Sequence, residues 1–365
     1  KKFLNNFIKY KFHKVNKFGS IWKPHKRDFF SNKWIYHCLT KAKKLNYDFS
    51  KLGDQKNILN RINVDIAAST QKLLEETFLV TVKQLKKTLK KNRINEKNLC
   101  LSGGTMLNCP SNSKIYKSKI FKEIFVPPAV HDGGLSTGSA LAVFYNNLLN
   151  KRKFNYGNSL KLSYLGKDLN KSDIKKNLKK FKSYITFNIV AKNFKNIARE
   201  VSAGKIVAVM FGKSEIGPRA LGHRSILADP RIYENWEKVN FIKKRELWRP
   251  FAPAVLEKYY SKYFSEAPKK SPFMLFTSKV KSKLIPAITH VDKSSRAQTV
   301  SEKNTEIYKI LHEFKKITKI PVLLNTSFNG PGQPIVDTPE QAIKFFINSK
   351  LDTLYINNFQ IKKIK

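Results

Sequence analysis

Acidic residues are scarce in this chain of 365 residues: 26 aspartates and glutamates stand against 71 lysines and arginines, a formal charge of +45. Cysteine is scarcer still. Cys38, Cys100 and Cys109 are odd in number, widely spaced and without a CxxC pair. That pattern argues against a disulfide framework and fits a reducing cytosol. Long apolar runs are missing too, so nothing approaches the roughly 20 residues of a membrane span. The start, Lys1-Lys2-Phe3-Leu4-Asn5-Asn6-Phe7-Ile8-Lys9, lacks the unbroken apolar core of a signal peptide. The expectation is a cytoplasmic protein without a membrane contact. There is also no initiator methionine, so a fragment of a longer chain is expected as one alternative.

A charge this large normally points to nucleic acid or an anionic surface. Its make-up argues otherwise: 60 of the basic residues are lysine and only 11 arginine, and asparagine, isoleucine and phenylalanine are abundant. All have A/T-rich codons, so drift toward lysine on solvated faces explains most of the excess, and nucleic acid is not the expected partner. The same bias makes arginine informative, because lysine supplies a point charge but not a planar bidentate fork. Six of the eleven arginines lie between Arg219 and Arg296. Anion binding is one use for those forks; ion pairs and aromatic stacking are the others.

The length allows two domains or one large one, and 41% apolar residues suffice for real cores. Residues 1 to about 60 read as basic, aromatic and irregular. A helical period covers 65–89. Residues 98–101 read as a short buried strand running into a Gly103-Gly104 turn, and 124–126 as another strand ending at Pro127-Pro128. Lysine and asparagine dominate 151–182, which is read as a domain boundary. Beyond it helices are expected near 191–202, 233–244, 305–317 and 339–347. Strands are expected near 206–211, 251–256, 321–324 and 353–356, the last closing the sheet. The fold class is α/β (α+β), with no internal repeat.

The most informative stretch is EIGPRALGHRSIL at 215–227. A buried strand emptying into a Gly-Pro-Arg turn brings N–H groups and guanidinium forks to one sheet edge, which suits a phosphate or acyl phosphate. A plain strand-to-helix turn with surface arginines is the alternative. The Gly103-Gly104 turn lets a phosphate approach the main chain, though a lone Gly-Gly is an ordinary turn. Asp132, between His131 and two glycines, suits either a metal or a helix cap. Lys243-x-Arg245, with Lys244 and Arg249, concentrates four cationic groups beside a strand, and Ser327-x-Asn329 places a hydroxyl and an amide on a strand-to-loop corner. A solvated helix face and a polar turn explain each of these separately.

Taken together, the segments resemble the carbamoyltransferase family of nodulation and antibiotic O-carbamoyltransferases. The matching pieces, in the family's order, are LSGGTMLNC (101–109), PPAVHDGG (127–134), EIGPRALGHRSIL (215–227), KKRELWRPFAP (243–253), HVDKSSRAQTV (290–300) and LNTSFNG (324–330). The resemblance covers about residue 65 to the C-terminus. It implies an actin-like ATPase (ASKHA-type) part followed by a YrdC-like α/β part. On that view 1–64 is a peripheral segment, 65–165 the second ASKHA-type lobe, and 185–365 the YrdC-like domain that forms carbamoyl adenylate. Lys243 and Arg245 would then hold ATP phosphates. Arg219 and Arg296 would grip carbamoyl phosphate or the forming mixed anhydride, with Ser327 and Asn329 orienting it. Gly103, Gly104, Asn108, Arg224 and Arg249 would contact nucleotide, and Asp132 would bind a divalent metal, with iron a candidate. ATP and Mg²⁺ are the implied cofactors.

One departure stands out. The family's His-x-x-x-His metal pair is absent, since His13, His25, His37, His131, His223, His290 and His312 are never spaced that way. The first lobe is therefore expected to be missing, either because the chain is a fragment or because a separate chain supplies it. The expected function is ATP-dependent activation of carbamoyl phosphate and transfer of the carbamoyl group to a small-molecule hydroxyl acceptor. The alternatives are a threonylcarbamoyl-adenylate-type enzyme of tRNA modification and a non-catalytic basic protein that binds nucleic acid.

Overall fold

The computed structural model describes residues 27–53, 57–151, 160–191, 193–303 and 305–364. The readings made above for 1–26 and 152–159 lie outside them. The chain divides into two compact units: residues 1–99 with 114–123, and residues 100–113 with 124–365. No helix among the described residues is long and apolar enough to cross a membrane.

In the first unit the segment read as irregular contains helix α1 (Arg27–Lys44), followed by α2 (Arg61–Lys91). Trp34, Cys38 and Ala42, four residues apart on α1, form a small core with Tyr47, Ile62 and Leu73. Trp34 Nε1 donates to Thr70 Oγ1 at 3.0 Å. The N-cap of α2 is Asn60, whose side chain accepts the Asn63 N–H.

The second unit carries the chemistry-bearing segments. Strand β1 (Asn98–Cys100), helix α3 (Cys109–Lys117) and strand β2 (Glu123–Phe125) are each divided between the two units, while α4 (Leu135–Ala142) belongs to the second. The lysine-rich stretch read as a boundary holds a helix, α5 (Lys171–Lys180), which buries only Ile174 and Leu178. Two apolar residues four apart in ten are too sparse a signal to register as a helix by period.

An eight-stranded mixed sheet follows, so the α/β class expected above is what the chain adopts. Its strands are β3 (Ile185–Ile189), β4 (Val207–Met210), β5 (Arg224–Ala228), β6 (Ala252–Leu256), β10 (Gln298–Val300), β11 (Val322–Ser327), β12 (Thr353–Ile356) and β13 (Phe359–Lys363), in the order β10-β6-β11-β5-β4-β12-β13-β3. Strand β12 therefore lies inside the sheet, not at its edge as expected, because β13 and β3 extend it. Three short strands, β7 (Phe264–Ser265), β8 (Ser278–Val280) and β9 (Ser294–Ser295), form a separate sheet near the small helix α8 (Tyr260–Tyr263).

Helices α6 (Asn193–Ser202) and α9 (Glu306–Thr318) pack on each other and on central strands. Ile307, Ile310, Leu311 and Phe314 of α9 fall at i, i+3, i+4 and i+7 and are fully buried. Helix α10 (Pro339–Ile347) starts from a capping box of Thr338 and Gln341 with proline at its first position, and packs on β4 and β12. Helix α7 (Asn235–Ile242) ends at Lys243.

Strand direction gathers the site. β5 and β6 run antiparallel to β11 on its two sides, and β10 runs parallel to β6. The starts of β5, β6 and β10 therefore share one end of the sheet with the finish of β11. Arg219, Lys243 and Arg245, and Arg296 precede those three starts, while Ser327 closes β11.

Candidate functional site

Lys243 is the knot of this sheet end. Its side chain is buried, and Nζ donates to the Ser327 carbonyl, to Asn329 Oδ1 at 2.8 Å and to the Asn329 carbonyl at 2.9 Å, with Ser327 Oγ at 3.3 Å. Ser327 Oγ in turn donates to Asn329 Oδ1 at 2.7 Å. The Lys-x-Arg and Ser-x-Asn segments, 84 residues apart in sequence, are thus one constellation. Every acceptor around the ammonium is neutral. Burial, reinforced by the Arg245 charge, lowers Lys243 to about 7.

Three guanidinium groups continue the cluster. Burial, then the charges of Arg249 and Arg296, lowers Arg245 to about 10. Its Nε donates to Asn240 Oδ1 at 2.7 Å and its fork lies over the Phe251 ring. Burial, then repulsion from Arg296, lowers Arg219 to about 10, with the Cys109 sulfur acting the other way. Such groups stay protonated at physiological pH. The lowering follows from burial first and from the neighbouring arginines second. The Nε atoms of Arg219 and Arg296 are buried with no hydrogen-bond partner. Cations that disfavour one another, offset at Arg245 by the Glu246 carboxylate, form an environment that an anion would relieve.

The loop between β4 and β5 carries Arg219. It joins two antiparallel strands, so the connection is strand-to-strand and not the strand-to-helix turn weighed as the alternative. Gly217 has φ +91°, and a Cβ there would lie 2.4 Å from the Pro128 carbonyl oxygen. Glu215 Oε1 accepts the N–H groups of Leu221 at 2.7 Å, His223 at 2.8 Å and Arg224 at 3.2 Å. The His223 ring stacks on Tyr164 at 3.7 Å and bonds Glu306 Oε2 at 2.9 Å and the Lys213 carbonyl at 2.7 Å. Glu215, Tyr164 and Glu306 were not singled out from sequence as site residues. Glu215 had a signal, as the acid opening the most informative motif. Tyr164, inside a lysine-rich stretch, had none.

Two residues expected to contact nucleotide have protein partners in this structure. Arg224 is fully buried, and its fork donates to the carbonyls of Phe211, Gly212 at 3.0 Å and His223 at 3.3 Å, so it fastens the β4 end to the β5 start. Arg249 is exposed and pairs with Glu246 at 2.6 Å. Arg231, another of the clustered arginines, applies its fork to buried Asp229, with Nε at 3.0 Å from both carboxylate oxygens.

A separate cavity of about 670 Å³ is lined by Gly103, Pro128, His131, Asp132, Leu135 and Ile216 among others. Gly103 has φ +104° and donates its N–H to the Val130 carbonyl at 2.8 Å. Gly104 is exposed beside it. Asn108 Oδ1 accepts the Ser111 N–H at 3.1 Å, a local helix-start bond. At the next turn the capping acceptor is His131 Nδ1, bonded by the Gly133 N–H at 2.9 Å, which leaves Asp132 exposed. Among the described residues no group of three or more histidines, cysteines, aspartates and glutamates gathers as a metal site. A single carboxylate does not meet a transition metal's need for several ligands, so no step is assigned to a metal here.

Comparison with known proteins identifies the family. A family model described as carbamoyltransferase N-terminus matches residues 9–141, and one described as carbamoyltransferase C-terminus matches 198–363. Nodulation protein NolO of Bradyrhizobium diazoefficiens is 38% identical over 82% of this chain and 54% of its own length. The uncharacterized protein sll1178 of Synechocystis is 36% identical over 84% of this chain and 53% of its own. The uncharacterized protein MJ1058 of Methanocaldococcus jannaschii is 34% identical over 90% and 56%. The chain belongs to the carbamoyltransferase family. It spans about half the length of these relatives. The HypF structure from T. kodakarensis aligns with a TM-score of 0.34 at 17% identity, covering 47% of this chain and 24% of that one, a likeness too low to bear on the fold.

Proposed function

We propose that the cluster around Lys243 activates a carbamoyl group for transfer to a small-molecule hydroxyl acceptor, within a polypeptide assembly that also supplies the rest of the relatives' length. Residues 185–365 would be the YrdC-like activating domain and 65–165 a lobe of the ASKHA-type domain. The observation that carries the reading is the convergence of Arg219, Lys243, Arg245 and Arg296 with Ser327 and Asn329 at one sheet end, without a neutralising carboxylate at its centre.

The chemistry needs such a site. Nitrogen conjugation makes a carbamoyl carbon a poor electrophile, so a better leaving group must be installed. Water removes the phosphoryl group of carbamoyl phosphate as phosphate. The carbamate oxygen then attacks the α-phosphorus of ATP, and pyrophosphate leaves. Carbamoyl adenylate remains, and an acceptor oxygen displaces AMP from its carbonyl carbon. Lys243 and Arg245 would hold the ATP phosphates while negative charge shifts onto pyrophosphate. Arg219 and Arg296 would grip the carbamoyl donor. Each charge-assisted bond contributes about 1.5–3 kcal/mol, so several must converge for useful affinity. The cavity beside Gly103 and Asp132 is the proposed acceptor side. Mg²⁺ would share the ATP charge, but no step depends on its placement.

The test is pyrophosphate–ATP exchange. Exchange should require carbamoyl phosphate and fall at least tenfold in Arg219→Lys and Arg245→Lys. Exchange that proceeds instead with threonine and bicarbonate, or that survives both substitutions together, would contradict the proposal.

A further inference from the structure

We propose that Glu215 is a positioning residue for Arg219, holding the arginine's loop by its main chain while leaving the guanidinium charge unquenched. The inference rests on the proposed role of Arg219 in gripping an anion. Glu215 precedes Arg219 by four residues, yet Oε1 reaches past it to the N–H groups of Leu221, His223 and Arg224. The near side of the loop is tied separately: the Ile216 N–H donates to the Ser163 carbonyl at 2.6 Å, and Gly217 sits against Pro128. Only Pro218, Arg219 and Ala220 lie between the two anchors, and proline fixes one of their φ angles.

The far anchor is braced as well. Gly222 has φ +118°, and a Cβ there would meet Ile307 of α9 at 2.5 Å. The Gln298 side chain and the Tyr164 hydroxyl both donate to the Leu221 carbonyl, at 2.8 and 2.9 Å. A loop bound this tightly holds the half-buried Arg219 in a single place, which is what pre-organised anion binding requires.

The electrostatics separate the two tasks. Arg219 feels the Arg296 charge and hydrogen-bonds the Cys109 side chain, whereas the Glu215 carboxylate acts on Arg224 and Tyr164. Glu215 Oε2 is buried without a hydrogen-bond partner. Leaving a carboxylate oxygen idle costs stability, so the residue is poorly explained as a stability device alone. An acid paired directly with Arg219 would hold the arginine equally well but would neutralise it. Bonding the neighbouring main chain fixes the position and keeps the charge.

Carbamoyl phosphate titration of the full chain by calorimetry tests this with a double-mutant cycle. Arg219→Ala and Glu215→Ala should each weaken binding about tenfold. The double variant should be no more than about twofold weaker than either, because Glu215 acts through Arg219. Glu215→Gln keeps the Oε1 acceptor; it should fold with an unchanged Tm, lose about threefold in affinity, and replace Glu215→Ala in the cycle if that variant fails to fold. Independent losses multiplying to about a hundredfold, or wild-type affinity in Glu215→Gln and Glu215→Ala alike, would overturn the inference while leaving the anion site intact. Failure of the wild-type chain to bind carbamoyl phosphate would overturn the anion site and this inference with it.

Discussion

Lys243 should make the stability of this protein rise with pH where most lysines contribute nothing. The ammonium is buried among neutral acceptors beside Arg245, and its folded value is about 7 against 10.5 for an ordinary lysine. Between those values the unfolded chain binds a proton that the folded chain does not, so stability increases with pH across the window. The whole interval corresponds to about 5 kcal/mol, of which about 3 kcal/mol falls between pH 7 and 9.5. The perturbation is Lys243→Met, compared with wild type by urea denaturation at several pH values. Subtraction cancels the many other lysines. Methionine also forfeits the bonds to Ser327 and Asn329, but that loss adds a constant, not a slope. Wild type should gain on the variant by about 1 kcal/mol per pH unit above 7. Anion affinity should move oppositely, weakening as the ammonium loses its proton. Parallel stability profiles would refute the buried, uncompensated ammonium, and with it the reason for calling this sheet end an anion site.

The loop glycine offers a second prediction: Gly217→Ala combines a left-handed φ with a Cβ against the Pro128 carbonyl, and should destabilise by about 1–3 kcal/mol in thermal denaturation. Arg224→Met should lower Tm sharply, since three main-chain carbonyls lose a buried charged donor at about 2–5 kcal/mol in total, while Arg249→Ala, removing an exposed pair, should leave Tm unchanged. Thr338→Ala, which breaks the capping box of α10, should cost about 1 kcal/mol in chemical denaturation.

How much of this was legible in sequence depended on contrast. Helix α9 could be read because Ile307, Ile310, Leu311 and Phe314 stand out from polar neighbours, and β4 because its apolar run is unbroken. Helices α1 and α5 were lost in lysine, whose abundance hides short apolar periods. Strand β13 alternates Phe359, Gln360, Ile361 and Lys362, a half-exposed pattern too brief to separate from a tail. The site residues were visible as types: Lys243-x-Arg245 and Ser327-x-Asn329 each suggested anion chemistry. Their meeting was not, because it follows from β11 lying between β5 and β6. Arg224 shows the limit most clearly. Its motif marks a guanidinium of consequence, but only packing reveals that the fork turns inward to the Phe211, Gly212 and His223 carbonyls.

The central claim is that one anionic carbamoyl donor is gripped by Arg219 and Arg296, cations contributed by two separate strand starts. A titration of carbamoyl phosphate into the wild-type chain and into Arg219→Lys and Arg296→Lys tests it most directly. One site per chain, weakened at least several-fold by each substitution, is the predicted outcome. Absence of binding, or an affinity indifferent to both arginines, would contradict it.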